Sequence, residues 1–514
     1  MSQPQTQTGA AARGTGLAFA YVTSLFFAWG FATSLIDPLI AAVKGVFELS
    51  FTEALLTQFA WFTAYGVVSL PAAAVLARLG YAKSIAGALG VMVLGALIVP
   101  VSTFLDFYPG VLLALFVIAA GVTLLQVAAN PLAASLGSSR SSHFRLVFSQ
   151  AFNALGTVVG PLLGASIMLS GGIFVAGGVT VLASPTAVIL IALGVVAGLI
   201  AGALFGALRR DLRKWVVVGA AIGLAVGWIV FLHNYLGGMQ GHSGGLSQAA
   251  SGASSTPVMD SAARAHTLRN IDMVFFGLAV LFGLLGLFIW SVRRTLTVAS
   301  GETDAPKSAE KRASPLEALK SRWAIFGALA IFIYVGSEVT IGSLMTNFLH
   351  DEGVMGLPIH DAGRLVALYW AGALAGRFAG SALLTRVPAA WVLTGCTVVA
   401  AVLCGVVTQM HGANAAFAAL SIGLFNSIMF PSIFTLTLER SSASAPATSG
   451  LLVCGIIGGA ILPLIAGAIA DGSGVIANAF VVPLIGYVIL STFAIACVRV
   501  RPRNVEIEGP AASH

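Results

Sequence analysis

Long, continuous runs of apolar residues, separated by short polar segments, recur from one end of the chain to the other. A bilayer core is crossed by about 20 apolar residues of helix. Roughly fourteen runs meet that length: 17–42, 53–78, 84–104, 109–136, 146–169, 184–208, 215–236, 271–292, 323–349, 361–386, 389–410, 413–438, 448–470 and 474–498. They are far longer than a membrane strand of about 10 residues and do not alternate, so the spans are predicted as helices.

The polar segments between the runs carry charge unevenly. With the N-terminus on the inside, alternate loops receive Arg78, Lys83, Arg140, Arg145, Arg209, Arg210, Arg213, Lys214, Arg293, Arg294, Arg322, Arg386, Arg440 and Arg499. The other loops receive only Lys44, Arg264, Arg269 and Arg364. Excess Lys and Arg marks cytoplasmic loops, so both ends are predicted in the cytoplasm. The predicted organisation is a tail over 1–16, five helices over 17–171, an inserted helical pair over 172–238 and an extracytoplasmic loop over 239–270. A sixth helix over 271–292, a cytoplasmic linker over 293–322, a second bundle over 323–498 and a tail over 499–514 follow. The first apolar run is too long for the core of a cleavable signal peptide, and none is expected.

The two bundles are weak internal repeats. Gln126 stands five residues before Pro131 and Asn426 five before Pro431. Gly156-x3-Gly-Pro-Leu-Leu-Gly164 resembles Gly459-x3-Pro-Leu-Ile-Ala-Gly467. Both pairs are offset by about 300 residues, as duplicated transporter halves are.

Composition narrows the function. Of 514 residues 58% are hydrophobic and 9% charged, against about 25% charged in soluble domains. The mean hydropathy is +0.96. A soluble globule, a disordered chain and a nucleic-acid binder are excluded. The net charge of +7 follows the loop asymmetry, so the expected partner is the lipid bilayer and not nucleic acid. Cys396, Cys404, Cys454 and Cys497 lie in apolar runs without metal-type or C-x-x-C spacing, so packing roles are expected and no metal site or cofactor. Gly241-His-Ser-Gly-Gly245 matches a hydrolase pattern literally but sits in a loop and not at a strand-to-helix turn. With no other catalytic motif in a suitable context, the chain is not expected to be an enzyme.

Few ionisable groups lie inside the spans. Asp37 and Glu338 are the two acids well within them, on helices that correspond in the repeat. Charge at a bilayer centre costs about 2.5–3.5 kcal/mol by insertion scales, so these acids are candidates for binding a proton or sodium ion, or a substrate hydroxyl. Gln126, Asn130, Gln150, Asn153, Asn347, Asn426 and Ser427 add neutral polar groups. Amides donate and accept, which suits sugar hydroxyls; the alternative role is hydrogen bonding between helices. Trp29, Trp61, Tyr65, Tyr369 and Trp370 are candidates to face a sugar ring, or to pack. Arg377 is expected to snorkel or to pair with a helix end. Gly194, Gly198, Gly202 and Gly206, then Gly219, Gly223 and Gly227, give the inserted helices close-packing faces.

Several stretches together resemble the fucose:proton symporter family of the major facilitator superfamily, nearest its glucose/galactose branch. They are Phe27–Asp37, Leu125-Gln-Val-Ala-Ala-Asn-Pro131, His143–Asn153, Tyr334-Val-Gly-Ser-Glu338, Gly376-Arg-Phe-Ala-Gly380 and Asn426-Ser-Ile-Met-Phe-Pro431. The resemblance covers most of the chain except about 172–265. It implies two six-helix bundles working by alternating access to take up a monosaccharide with H+ or Na+. It implies Asp37 as the coupling-ion residue, and it sets Gln126 where the fucose branch has an acid. Gln126, Gln150, Asn153, Glu338, Asn347, Asn426 and Trp370 are then expected on the sugar. A bacterial cytoplasmic membrane and a functional monomer complete the expectation. The alternatives are a symporter for fucose or N-acetylglucosamine, and a sugar sensor that does not transport.

Overall fold

The structure is a computed structural model that describes residues 5–35, 39, 47, 51–138, 141–168, 212–240, 261–300 and 314–503. Among the described residues it is helical, with no strand. The helices are α1 (Gln5–Ser34), α2 (Phe51–Leu79), α3 (Tyr81–Phe104), α4 (Tyr108–Ser135), α5 (Ser142–Met168), α6 (Leu212–Gln240) and α7 (Ser261–Ser291). After a short helix and a 3-10 turn come α8 (Arg322–His350), α9 (Ile359–Leu384), α10 (Ala389–Gln409), α11 (Gly412–Asn426) and α12 (Met429–Arg440). Then come α13 (Ala445–Cys454), α14 (Gly458–Ser473) and α15 (Val481–Arg499). Among the described residues, eleven stretches are long and apolar enough to cross a membrane, with α11–α12 and α13–α14 each forming one broken span. The α5 and α9 helices, 27 and 26 residues long, pack among them. The predicted span over 184–208, with Gly194, Gly198, Gly202 and Gly206, lies outside the described residues, as does the loop over 241–260.

Two packing sets emerge. In the first half α1 packs on α5, α4 on α2 and α3, and α7 on α3. In the second half α8 packs on α14, α9 on α11, and α10 on α15. The repeated glycine motifs make close approaches in both halves, to different neighbours. On α5, a Cβ at Gly156 would lie 2.4 Å from the Phe27 carbonyl oxygen of α1, and one at Gly160 would meet Phe31 O at 2.7 Å. A Cβ at Gly459, on α14, would be 2.7 Å from the Phe62 ring of α2, across the halves, and 3.2 Å from Val339 of α8. Small residues let backbones approach where lipid gives no hydrophobic drive to associate. Gly156→Ala is expected to destabilise the protein by about 1–3 kcal/mol, the usual cost of overpacking. Gly467, which has nothing within 4 Å of its would-be Cβ among the described residues, is the control. Thermal unfolding of both variants in detergent checks this, with Gly467→Ala unchanged.

The second helix of the insertion takes an unforeseen place. Although α6 lies in the chain between two helices of the first half, it packs against α9 and α11 of the second. Trp228, Phe231, Leu232 and Leu236 are buried there. Gly372 of α9 makes the room: a Cβ there would lie 3.1 Å from the Trp228 Nε1. Gly219, Gly223 and Gly227 are buried too.

Candidate functional site between the two halves

Each half presents an amide bonded to a tyrosine. Gln126 of α4 donates from Nε2 to the hydroxyl of Tyr65 on α2 at 3.1 Å. Asn426, the last residue of α11, donates from Nδ2 to the hydroxyl of Tyr369 on α9 at 2.7 Å. These helices correspond in the repeat, so the pairing is a shared device of both halves. Their surroundings differ. Asn426 has no exposed surface; Tyr487 donates to its Oδ1 at 2.6 Å and Tyr334 to its carbonyl at 3.2 Å. It holds three tyrosines in place. Gln126 keeps 7% of its surface accessible, with its amide oxygen not engaged in any hydrogen bond between described side chains.

Glu338 stands next to this tyrosine cluster. Tyr369 donates to its backbone carbonyl at 3.4 Å. Its carboxylate oxygen Oε1 is shielded from solvent and has no hydrogen-bond partner among the described residues. The positive charge nearby is Arg377. Arg377 is buried and does more than reach for a helix end. Its Nε donates to the Ser427 carbonyl at 3.2 Å, within its own half, and its Nη1 to the Gln150 carbonyl of α5 at 2.9 Å, in the other half.

The prolines account for two carbonyls in this network. A proline lacks the N–H that would bond the carbonyl four residues back. Pro431 thereby frees Ser427, which Arg377 engages. Pro131 frees Val127, whose carbonyl accepts the hydroxyl of Ser449 on α13 at 2.8 Å, again across the halves.

From this level toward the Lys- and Arg-rich helix ends, the halves are in contact. Cys454 of α13 reaches the Gly66 carbonyl of α2 at 3.6 Å, and a Cβ on Gly450 would meet Ala73 at 2.6 Å. At the ends, His143 of α5 sits between two groups of α12: its Nε2 is 2.9 Å from Glu439 and its Nδ1 is 2.5 Å from the Thr435 hydroxyl. Arg440 flanks Glu439 at 3.3 Å. His143 lay inside a stretch that the sequence singled out, but nothing in its spacing pointed to a partner about 300 residues away in the second half of the repeat.

The predicted site residues are thus distributed unevenly. Gln150, Glu338 and Asn426 are brought together around Arg377 and the tyrosines of the second half, and Gln126 stands with Tyr65 in the first half. The side chain of Gln150 donates to Asn130 at 3.3 Å. Asn153 donates to the Phe26 carbonyl at 3.2 Å and sits in the α1–α5 seam against Gly30. Trp370 is 37% exposed and edge-on to Tyr369, with ring centroids 5.1 Å apart. Asn347 is exposed and stands about 14 Å further along α8 than Glu338, from the rise per residue. Asp37 lies outside the described residues.

No protein-family model matches the chain. A glucose/galactose transporter of Brucella abortus (strain 2308) is 34% identical over 481 residues, covering 93% of this chain and 94% of that protein. A putative glucose/galactose transporter of Helicobacter pylori (strain ATCC 700392 / 26695) is 29% identical over 93% of this chain and 96% of its own length. The L-fucose-proton symporter of Escherichia coli (strain K12) is 26% identical over 93% and 92%. The crystal structure of the E. coli major facilitator superfamily transporter FucP, in the outward conformation, superposes with a TM-score of 0.67 at 23% identity, covering 94% of this chain and 99% of that one. With this full-length similarity, the chain belongs to the family of the glucose/galactose transporters, and its fold is that of the major facilitator superfamily transporter FucP.

Proposed function

We propose that the protein is a proton-linked hexose symporter of a bacterial cytoplasmic membrane, with both ends in the cytoplasm, working as a monomer by alternating access. The observation that carries this reading is Glu338: a carboxylate oxygen shielded from solvent and unpartnered among the described residues, between a tyrosine cluster and a buried arginine that bridges the halves. A buried acceptor left unbonded costs about 1–3 kcal/mol, and a sugar hydroxyl supplies the missing donor. Gln126, in the other half, keeps accessible surface and serves as the second donor in this reading. The names of the relatives support hexose as the cargo and a proton as the coupling ion. A sugar gripped from both halves favours the closed-over state, and an ion bound to the same state is thereby coupled to it. Asp37 is the coupling residue in this reading. Asn153 and Asn426 serve the site by fixing helices and tyrosines.

Counterflow of labelled hexoses in liposomes, over a panel of sugars, with and without sodium and across pH, tests this. Exchange of glucose or galactose that is accelerated by a proton gradient and indifferent to sodium is expected. Absence of exchange for every sugar sinks the reading. Gln126→Ala is expected to weaken hexose affinity by roughly 3- to 30-fold, the loss of one neutral hydrogen bond or somewhat more. Unchanged binding in that variant means the amide serves only Tyr65.

A further inference from the structure

A second polar site lies well away from the tyrosine cluster. At the feet of α8, α12 and α15, on the Lys- and Arg-rich side, is a cavity of about 430 Å³ lined by Lys320, Arg322, Trp323, Arg440, Arg501 and Arg503 among others. Among the described residues five cations line it and no acid does. Arg440 is the fixed floor: it is buried, donates to the carbonyls of Leu436, Cys497 and Val500 at 3.0, 2.7 and 3.2 Å, and lies 5.7 Å from the Trp323 ring centroid. The nearby Glu439 carboxylate is held by His143 and Arg440. Its backbone carbonyl accepts the amide of Arg503 at 3.0 Å, which folds the chain beyond α15 over the cavity. Lys320, Arg322, Arg501 and Arg503 are exposed and make no ion pair among the described residues. Four like charges gathered around one cavity repel each other unless an anion joins them.

We propose that this cavity binds the phosphate of an anionic phospholipid headgroup from the adjacent leaflet. The chemistry is that of a phosphate anion on a cluster of guanidinium and ammonium donors. Its place in the fold identifies the source. Arg322 begins one apolar span, Arg440 ends another and Arg499 ends a third, so the cavity lies where the hydrocarbon gives way to headgroups. Trp323 is half-buried at that level, where indoles are enriched at bilayer interfaces. Leu316 and Leu319 on the preceding 3-10 turn are 56% and 49% exposed, and Val500 is 43% exposed, giving acyl chains apolar contact beside the charges. Basic pockets between membrane helices on the cytoplasmic side are suited to such headgroups. All the lining residues belong to the second half and the turn that leads into it, so occupancy braces α8, the helix that carries Glu338.

Native mass spectrometry of the full-length protein, titrated with phosphatidylglycerol, phosphatidylcholine or inorganic phosphate, tests the proposal. One saturable phosphatidylglycerol adduct is expected, absent with phosphatidylcholine and not displaced by inorganic phosphate at equal concentration. Each cation near a lipid surface contributes about fivefold in affinity, so Lys320→Gln/Arg322→Gln/Arg501→Gln together should weaken the adduct by roughly 100-fold. Hexose binding by that variant reports its folding. Arg501→Gln alone, beyond the end of α15, should weaken the adduct about fivefold and keeps the test readable if the triple variant does not fold. Equal binding of the two lipids, or an undiminished adduct in both variants, overturns the site. Inorganic phosphate binding as tightly as the lipid overturns the lipid as its source.

Discussion

Asp37→Asn is expected to abolish proton-driven accumulation of hexose while leaving counterflow exchange measurable. Symport needs a group that takes up the ion on one side and gives it up on the other. An amide has the same shape as a carboxyl and stays neutral throughout, so the loaded state is mimicked and the cycle has no empty, charged return. An uncompensated charge at the bilayer centre costs about 2.5–3.5 kcal/mol by insertion scales, and that difference between states is what the proton gradient acts on. In proteoliposomes with an imposed pH gradient, the internal hexose should therefore rise only to the external concentration. Concentrative uptake at the parental level would remove Asp37 from the coupling step. The same measurement on Glu338→Gln would then show whether the acid of the second half carries it instead.

Arg377→Leu is expected to loosen the closed arrangement of the halves and to weaken hexose binding. The guanidinium makes one of its two backbone contacts across the halves, to Gln150 at 2.9 Å. A hydrogen bond from a charged donor contributes about 1.5–3 kcal/mol, which corresponds to roughly 10- to 150-fold in the equilibrium between closed and parted halves. Its loss also strands the Ser427 carbonyl, which Pro431 has already deprived of a helical partner, and removes the positive charge near Glu338. The chain carries its own reporter. Cys454 sits on the Gly66 carbonyl across the same boundary, so its maleimide reactivity should rise once Cys396, Cys404 and Cys497 are changed to alanine. Unaltered Cys454 reactivity together with parental hexose affinity would reduce Arg377 to a packed helix residue.

The helical spans, the family and the repeat were legible in the sequence because each rests on a local or periodic signal. Bilayer thickness sets the length of an apolar run, and duplication leaves matched glycines and prolines at a constant offset. The repeat even pointed to Gln126 and Asn426 as counterparts. That both bond a tyrosine, and that only Gln126 retains accessible surface, depends on which neighbouring helix turns a tyrosine toward each. The same holds for Arg377, read from its position as snorkelling or pairing with a helix end: the structure pairs it with Ser427 at the end of α11 and also with Gln150 of the other half. Asn347 and Glu338 share a helix and looked alike as candidates, yet a separation of about 14 Å along it puts them in different surroundings.

Hydropathy therefore determined the helical spans, since those follow from the solvent each segment meets. Contacts between segments far apart in sequence were decided only by the tertiary structure. The inserted helix α6 packs on the second half though it is spliced into the first, because Gly372 leaves a notch that Trp228 fills. His143 meets Glu439, and five cations from three helix ends and a turn converge on one cavity. In each case the partners are chosen by the way whole helices pack, and a side chain's own neighbours in the sequence carry no record of what it will face.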